Sequence, residues 1–276
     1  MTFSIVACSA HGPAGRQWGV AVASKFLAVG AVVPGARAGA GAIATQAYAN
    51  VAYVADGLRL LDGGKSAQQT LDELVGADDE HAQRQAGIVD AAGRAATFTG
   101  AECMDWAGGT AADGVTIQGN ILVGPQVVES MHKAWLAADP EAPLARRLLA
   151  ALRAGDEAGG DRRGRQSAAL LVVTDGGGYG GGNDVYIDLR VDDDPAPVTE
   201  LERLLDLHHV YFEPPADEAL VPLTEVADDI ARWLAALGYE DLDAWVGVEN
   251  FEMRLVDGKI DRYVLGVLER QAAQRT

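Results

Sequence analysis

The sequence predicts an α+β fold: a four-layer α/β/β/α sandwich followed by a small helical domain. Three observations carry that prediction. Strand-like and helix-like stretches come in blocks (strands, two helices, strands, two helices, strands), so the strict alternation of a doubly wound parallel sheet is missing. The strand-like stretches are apolar almost throughout, as expected of strands covered on both faces. After "DDDPAPV" the text turns helical and acidic, with 17 acidic and 7 basic residues over 198–276, a net of −10. The expected division is therefore residues 1–197 and residues 198–276.

"FSIVACS" and "QWGVAVASKF" read as two strands of a hairpin, with Gly12, Pro13 and Gly15 between them. "AVGAVVP" and "GAGAIATQA" read as a third and a fourth extended piece, each closed by Pro, Gly or polar residues. Helical periodicity takes over in "NVAYVADGLRLLDGG" and "SAQQTLDELVGAD", the second with Ser66 as N-cap. "QAGIVDAAGRAATFTG" returns to strands around a tight turn at 91–93, and "GVTIQGNILVG" is a strand with a polar interruption. "PQVVESMHKAWLAA" and "PLARRLLAALRAGDEAGG" form the second helix pair. "RQSAALLVVTD" and "DVYIDLRVDD" then complete the strands around "GGGYGGGN". Beyond residue 198, four helices are expected: "TELERLLDLHHVYF", "LTEVADDIARWLAALG", "DLDAWVGVENFEMRL" and "KIDRYVLGVLERQAA". Trp233, Trp245, Phe251 and Tyr263 are their expected core.

Composition narrows the function. The 276 residues are 49% hydrophobic, enough for a substantial core, and the 33 glycines fall in strands and loops without a period. A formal net charge of −18 repels a phosphate backbone or an anionic membrane surface, so neither nucleic acid nor membrane is an expected partner. Cys8 and Cys103 are too few for a disulfide framework and lack metal-ligand spacing, so both read as small buried hydrophobes. No basic-then-apolar leader opens the chain and no apolar run reaches the ~18 residues of a membrane span, so the expected location is the cytoplasm.

The opening "MTFSIVACSAHG" raises a chemical question, because removal of Met1 would leave Thr2 with a free amine. A hydroxyl and an amine on one residue can act together as nucleophile and general base. An α-amine has an unperturbed pKa of ~7.7–8.0, suited to that task near neutrality. The alternative is a β-branched residue that simply begins a strand. His11 lies in the first turn, as a loop residue or within reach of the Thr2 end.

The hairpin and block order resemble the N-terminal nucleophile (Ntn) hydrolases. More closely, the chain resembles a bacterial family of unknown function assigned to that superfamily. The matching stretches are "TFSIVA", "GVAVASKFLAVGAVVP", "ARAGAGAIATQAYAN", "QGNIL", "GGDRRGRQSAALLVV" and "IDLRVDD", which cover most of residues 2–200. Members often carry a C-terminal segment described as peptidoglycan-binding, and residues from about 200 to 276 resemble it. The resemblance implies the fold strongly and the chemistry weakly, since fold does not fix function.

Within that resemblance, Lys25 is a basic group that could lower the nucleophile's pKa, or a solvated cation at a strand end. The strict proteasome-like arrangement, with a lysine on a later strand, is not matched, because "AVVPGARAG" offers only Arg37. Thr45 and Gln46 stand where relatives take a backbone oxyanion donor, and Asn120 offers a side-chain amide for the same purpose. Each could instead satisfy local backbone. "GGDRRGRQS" is the densest polar cluster, with Asp161, Arg162, Arg163, Arg165, Gln166 and Ser167 ahead of a hydrophobic strand. Arginine forks suit a substrate carboxylate; internal pairing with Asp161, Asp188 or Asp192 is the structural alternative. "GGGYGGGN" precedes a strand, not a helix, and reads as a turn or flap; His208 and His209 lack a third metal ligand.

The leading expectation is an amidohydrolase acting on a small amide or peptide-like substrate, with no metal or organic cofactor. The rival is a binding protein on the same scaffold that recognises cell-wall fragments or precursors. A homodimer is expected from how often such folds pair.

Overall fold

The computed structural model describes residues 2–10, 12 and 15–275. It divides into two compact units, Met1–Glu202 and Arg203–Thr276.

In chain order the first unit holds β1 (Thr2–Ser9), β2 (Gln17–Ser24), β3 (Pro34–Arg37), β4 (Gly41–Ala47), α1 (Ala52–Asp62) and α2 (Ala67–Gly76). There follow β5 (Arg84–Asp90), β6 (Ala95–Thr99), β7 (Gly108–Ala112), β8 (Val115–Asn120), α3 (Gln126–Ala137) and α4 (Leu144–Glu157). β9 (Ser167–Val173) and β10 (Val185–Val191) precede α5 (Pro197–Phe212), within which the two units divide. The strands make a six-stranded sheet, β10-β9-β2-β1-β8-β7, and a four-stranded sheet, β3-β4-β5-β6. All pairings are antiparallel.

Alternation along β1 decides what lies between the sheets. Val6 and Cys8 join Trp18, Val20 and Val22 of β2 and Ala42, Ala44 and Val89 of the smaller sheet in one apolar core. Two residues further toward the start of β1, the same face carries Ser4 and then Thr2, both buried. The inter-sheet layer is thus dry at the Cys8 end and polar at the Thr2 end. Phe3 points the other way, toward α4, where a side chain at Gly155 would meet both it and Met131. Tyr53, Leu60 and Leu61 of α1 and Leu71 and Leu74 of α2 pack with Ile43 and Ile88 on the opposite face of the four-stranded sheet. α2 begins in a capping box, Ser66 accepting from the Gln69 N–H while Gln69 accepts from the Ser66 N–H.

Several expectations are corrected. "AVGAVVP" is not a strand throughout: Ala28 turns left-handed (φ 52°), a 3-10 turn follows at Val29–Ala31, and the strand begins at Pro34. The Val29 N–H is drawn off to Ser167 Oγ at 3.1 Å, out of any ladder. β7, "GGTAA", went unread because glycines and alanines carry no apolar alternation. β8 stops at Asn120 because Ile121 is left-handed (φ 51°). As expected, "GGGYGGGN" is a turn between β9 and β10, with a 3-10 segment at Tyr179–Gly181.

In the second unit α6 (Leu223–Leu237) ends on the left-handed Gly238, whose N–H returns to carbonyls of the last turn. The expected third helix is interrupted: α7 (Leu242–Glu249) ends on the left-handed Asn250, and a 3-10 turn at Glu252–Arg254 follows. Three short strands were also missed: β11 (Leu220–Pro222), β12 (Leu255–Val256) and β13 (Lys259–Asp261), in the order β11-β13-β12. They lead into α8 (Arg262–Arg275). Trp245 and Phe251 are buried in the core of this unit with Trp233 partly so, but Tyr263 is exposed. No helix among the described residues is long and apolar enough to cross a membrane.

Candidate functional site

The polar end of the inter-sheet layer brings several of the expected residues together. Thr2 opens β1 and is paired with Asn120, the last residue of β8. Its Oγ1 lies 3.1 Å from Ser24 Oγ at the end of β2. Gln46, near the end of β4, crosses from the other sheet: its Nε2 donates to Gln85 Oε1 at 2.8 Å and reaches the Thr2 carbonyl at 3.4 Å. Asn120 Nδ2 donates to the same Gln85 Oε1 at 2.9 Å. Ser4 Oγ donates to Gln46 Oε1 at 2.7 Å and accepts from Gln118 Nε2 at 2.6 Å. The Gln85 amide continues to Thr99 Oγ1 and the Gly119 carbonyl. Uncharged side chains that saturate one another in this way hold a polar cluster in a buried layer without the cost of an unpaired group.

The cluster is covered. Thr2 is 5% exposed and Asn120 1%. Beside it a cleft of about 40 Å³, lined by Phe3, Ala23, Ser24, Asp156, Asp161 and Arg165 among others, holds a few waters at most. Three residues other than glycine adopt left-handed backbone on the loops that leave this end: Ala28, Ala47 and Ile121. Each costs about 1–2 kcal/mol, and such outliers cluster at sites where geometry serves function.

Other expected residues are placed differently. Thr45 faces away: its Oγ1 donates to the Asn50 carbonyl and its N–H to the Val33 carbonyl, so it offers no donor toward Thr2. Lys25 Nζ donates to the Arg165 carbonyl at 3.3 Å and makes no hydrogen bond with Thr2. Asp161 is a clamp, its carboxylate accepting from the Lys25 N–H at 2.7 Å and the Arg163 N–H at 2.9 Å. Arg165 is spent on Asp156, with Nε 2.7 and 2.9 Å from the two carboxylate oxygens, a contact that raises its pKa. That pairing is internal, as the structural alternative held, but with a different aspartate from those anticipated. Gln166 donates to Asp193 at 3.0 Å, and Ser167 donates to the Phe26 carbonyl. Arg162 is exposed and has no acidic partner among the described residues; its N–H donates to the Ile121 carbonyl at 3.2 Å. Met1 and His11 lie outside the described residues.

Sequence reasoning missed Ser4, Ser24, Gln85 and Gln118. A signal existed in β8, where "VTIQGN" places polar Thr116, Gln118 and Asn120 at alternate positions and so on one face. Among the described residues no group of three His, Cys, Asp or Glu is placed to hold a metal ion. Burial pushes the Cys8 thiol up, which suits a packing role in the dry half of the layer.

The chain belongs to the family described as "Family of unknown function (DUF1028)", which matches residues 2–201. Residues 211–268 match a second family, described as "Putative peptidoglycan binding domain". Among solved structures, protein SPO2555 from Silicibacter pomeroyi, of the same DUF1028 family, is 31% identical with a TM-score of 0.67. The match covers 77% of this chain and 91% of that one. Anbu (ancestral beta-subunit) from Yersinia bercovieri aligns at 11% identity and a TM-score of 0.34, over 78% of this chain and 98% of that one. No curated protein matches.

Proposed function

We propose that the first unit is an Ntn-type amidohydrolase on a four-layer α/β/β/α sandwich, with Thr2 as nucleophile. The observation that carries this is the setting of Thr2 Oγ1: 3.1 Å from the Ser24 hydroxyl and strand-paired with Asn120, in a buried neutral cluster. The mechanism requires that the peptide bond ahead of Thr2 be cut. Oγ1 then attacks the carbonyl carbon of an amide, and the freed α-amine takes the hydroxyl proton. Asn120 Nδ2 has a second N–H beyond the one given to Gln85, and it supplies a donor for the oxyanion. Collapse breaks the C–N bond, the leaving amine takes the proton from the α-ammonium, and an ester remains on Thr2. Water, deprotonated by the same amine, attacks the ester and expels Oγ1 with release of the acid.

The test is hydrolysis of a panel of small amides by wild type and Thr2→Ala, with circular dichroism to check the fold. Turnover that disappears in a folded Thr2→Ala supports the reading, and turnover that survives removes it.

The match of residues 211–268 favours a second reading for the second unit alone, recognition of a cell-wall fragment or precursor. Retention of soluble muropeptides by full-length Thr2→Ala in equilibrium dialysis tests it independently of catalysis.

A further inference from the structure

Four loops meet at the Thr2 end of the first unit, and hydrogen bonds stitch them together. The Lys25 N–H donates to Asp161, joining the loop after β2 to the loop before β9. The Arg162 N–H donates to the Ile121 carbonyl, joining that loop to the one after β8. The Ile121 N–H donates to the Met104 carbonyl at 3.0 Å, adding the loop between β6 and β7. Several of the side chains that these loops present are apolar. Phe26 is 50% exposed, Leu27 60%, Met104 55% and Val123 44%. Four exposed apolar side chains stand on loops that hydrogen bonds join at one end of the unit.

Charge is equally uneven here. In a chain of 40 acidic and 22 basic residues, Lys25 and Arg162 stand on these same loops without an acidic partner among the described residues. Asp161 and Asp156 are held by Arg163 and Arg165, while Glu102 and Asp105 stand exposed on the loop between β6 and β7. Two cations without an acidic partner among the described residues, Lys25 with its Nζ on the Arg165 carbonyl and the exposed Arg162, suit a ligand with an anionic group and an apolar chain. The cleft beside Thr2, about 40 Å³, holds a few waters at most, so the greater part of such a ligand lies on the rim.

We infer that the rim formed by Phe26, Leu27, Met104 and Val123, with Lys25 and Arg162, binds N-acyl amino acids. Lys25 and Arg162 hold the carboxylate and the apolar side chains cover the acyl chain. The inference rests on the amidohydrolase reading for what happens to the amide, but binding alone tests it.

The experiment is isothermal titration of full-length Thr2→Ala, which cannot consume the probe through Thr2, with N-acetyl-, N-hexanoyl- and N-decanoyl-L-alanine. The neutral N-decanoyl-L-alaninamide is the control. Full burial of one methylene is worth about fourfold in affinity, so even partial cover predicts that the decanoyl acid binds at least ~10-fold tighter than the acetyl acid. Lys25→Gln combined with Arg162→Gln weakens the decanoyl acid ~10-fold and leaves the neutral amide unchanged. Affinity independent of chain length, or equal loss for acid and amide, overturns the inference. So does a dimer that Phe26→Ser with Met104→Ser converts to monomer in light scattering with probe binding intact, since the rim would then be an interface between copies. Chain-length-dependent binding without hydrolysis by wild type removes the nucleophile reading and keeps the site. Hydrolysis of other amides with no preference for chain length does the reverse.

Discussion

Thr2 Oγ1 and Ser24 Oγ lie 3.1 Å apart, on neighbouring strands whose side chains face the same buried layer. Either hydroxyl can donate in that contact, so Ser24 is placed to fix the direction of the Thr2 lone pair. Ser24 is a positioning residue in this account. Ser24→Ala is expected to lower kcat at least ~10-fold with KM little changed, while stability falls by only about 1 kcal/mol. Steady-state kinetics beside a thermal melt would check this; a change confined to KM would argue against the role.

Ser4 lies one inward step along the same strand and closes the amide network between Gln46 and Gln118. Ser4→Ala leaves one buried donor and one buried acceptor unmatched, which costs about 1–3 kcal/mol. Chemical denaturation should show the midpoint fall with the slope unchanged.

Gly87 shows how closely the sheets approach in this layer. A Cβ built there would lie 2.1 Å from Gln118 Oε1. Gly87→Ala therefore displaces Gln118 and with it the hydrogen bond to Ser4, at a cost of about 2–3 kcal/mol. Gly76→Ala, where nothing lies within reach, is the control and should change stability little. The two melting temperatures decide the matter.

The loop carrying Tyr48 is held from below by Asp78. Its carboxylate accepts from Arg84 Nε and Asn50 Nδ2, both at 3.0 Å, while Arg84 Nη1 donates to the Tyr48 carbonyl at 2.7 Å. The bond from Arg84, foremost, holds the Asp78 carboxyl well below the usual carboxylate range, although desolvation works against it. A depressed carboxyl stabilises the fold above the unfolded value of ~3.9 and loses that contribution as pH falls toward the folded value. Asp78→Asn should cost about 2 kcal/mol near neutrality and flatten the loss of stability below about pH 4. Urea titrations from pH 2 to 7 would reveal it; an unchanged acid limb would show that other groups control it.

The blocks of strands and helices were readable because the strands are apolar and the helices amphipathic, patterns that survive without any tertiary information. What escaped reading was set by single residues whose neighbours are distant in sequence. Ile121 and Asn250 end their elements by turning left-handed and Ala28 turns so ahead of the 3-10 turn at Val29–Ala31; nothing local in an alanine or an isoleucine announces that turn. β7 was invisible because "GGTAA" has no periodicity to read, and it is defined only by its pairing with β8. At the site, Thr2 could be named from its place directly after Met1, and Gln46 and Asn120 from the resemblance to the Ntn hydrolases. Thr45 differs from Gln46 only by the face of β4 it occupies, and the sequence alone left that face open. The arginine cluster was visible as a cluster, but its assignment needed Asp156, which arrives from α4. Only the structure separates Arg162 from its committed neighbours.

The central claim is that Thr2 carries both nucleophile and base. Its most direct measurement is intact mass with N-terminal peptide mapping of the untagged protein. The account predicts a mature chain that begins at Thr2 with a free amine. A chain that retains Met1 would lock the base into a peptide bond and contradict it.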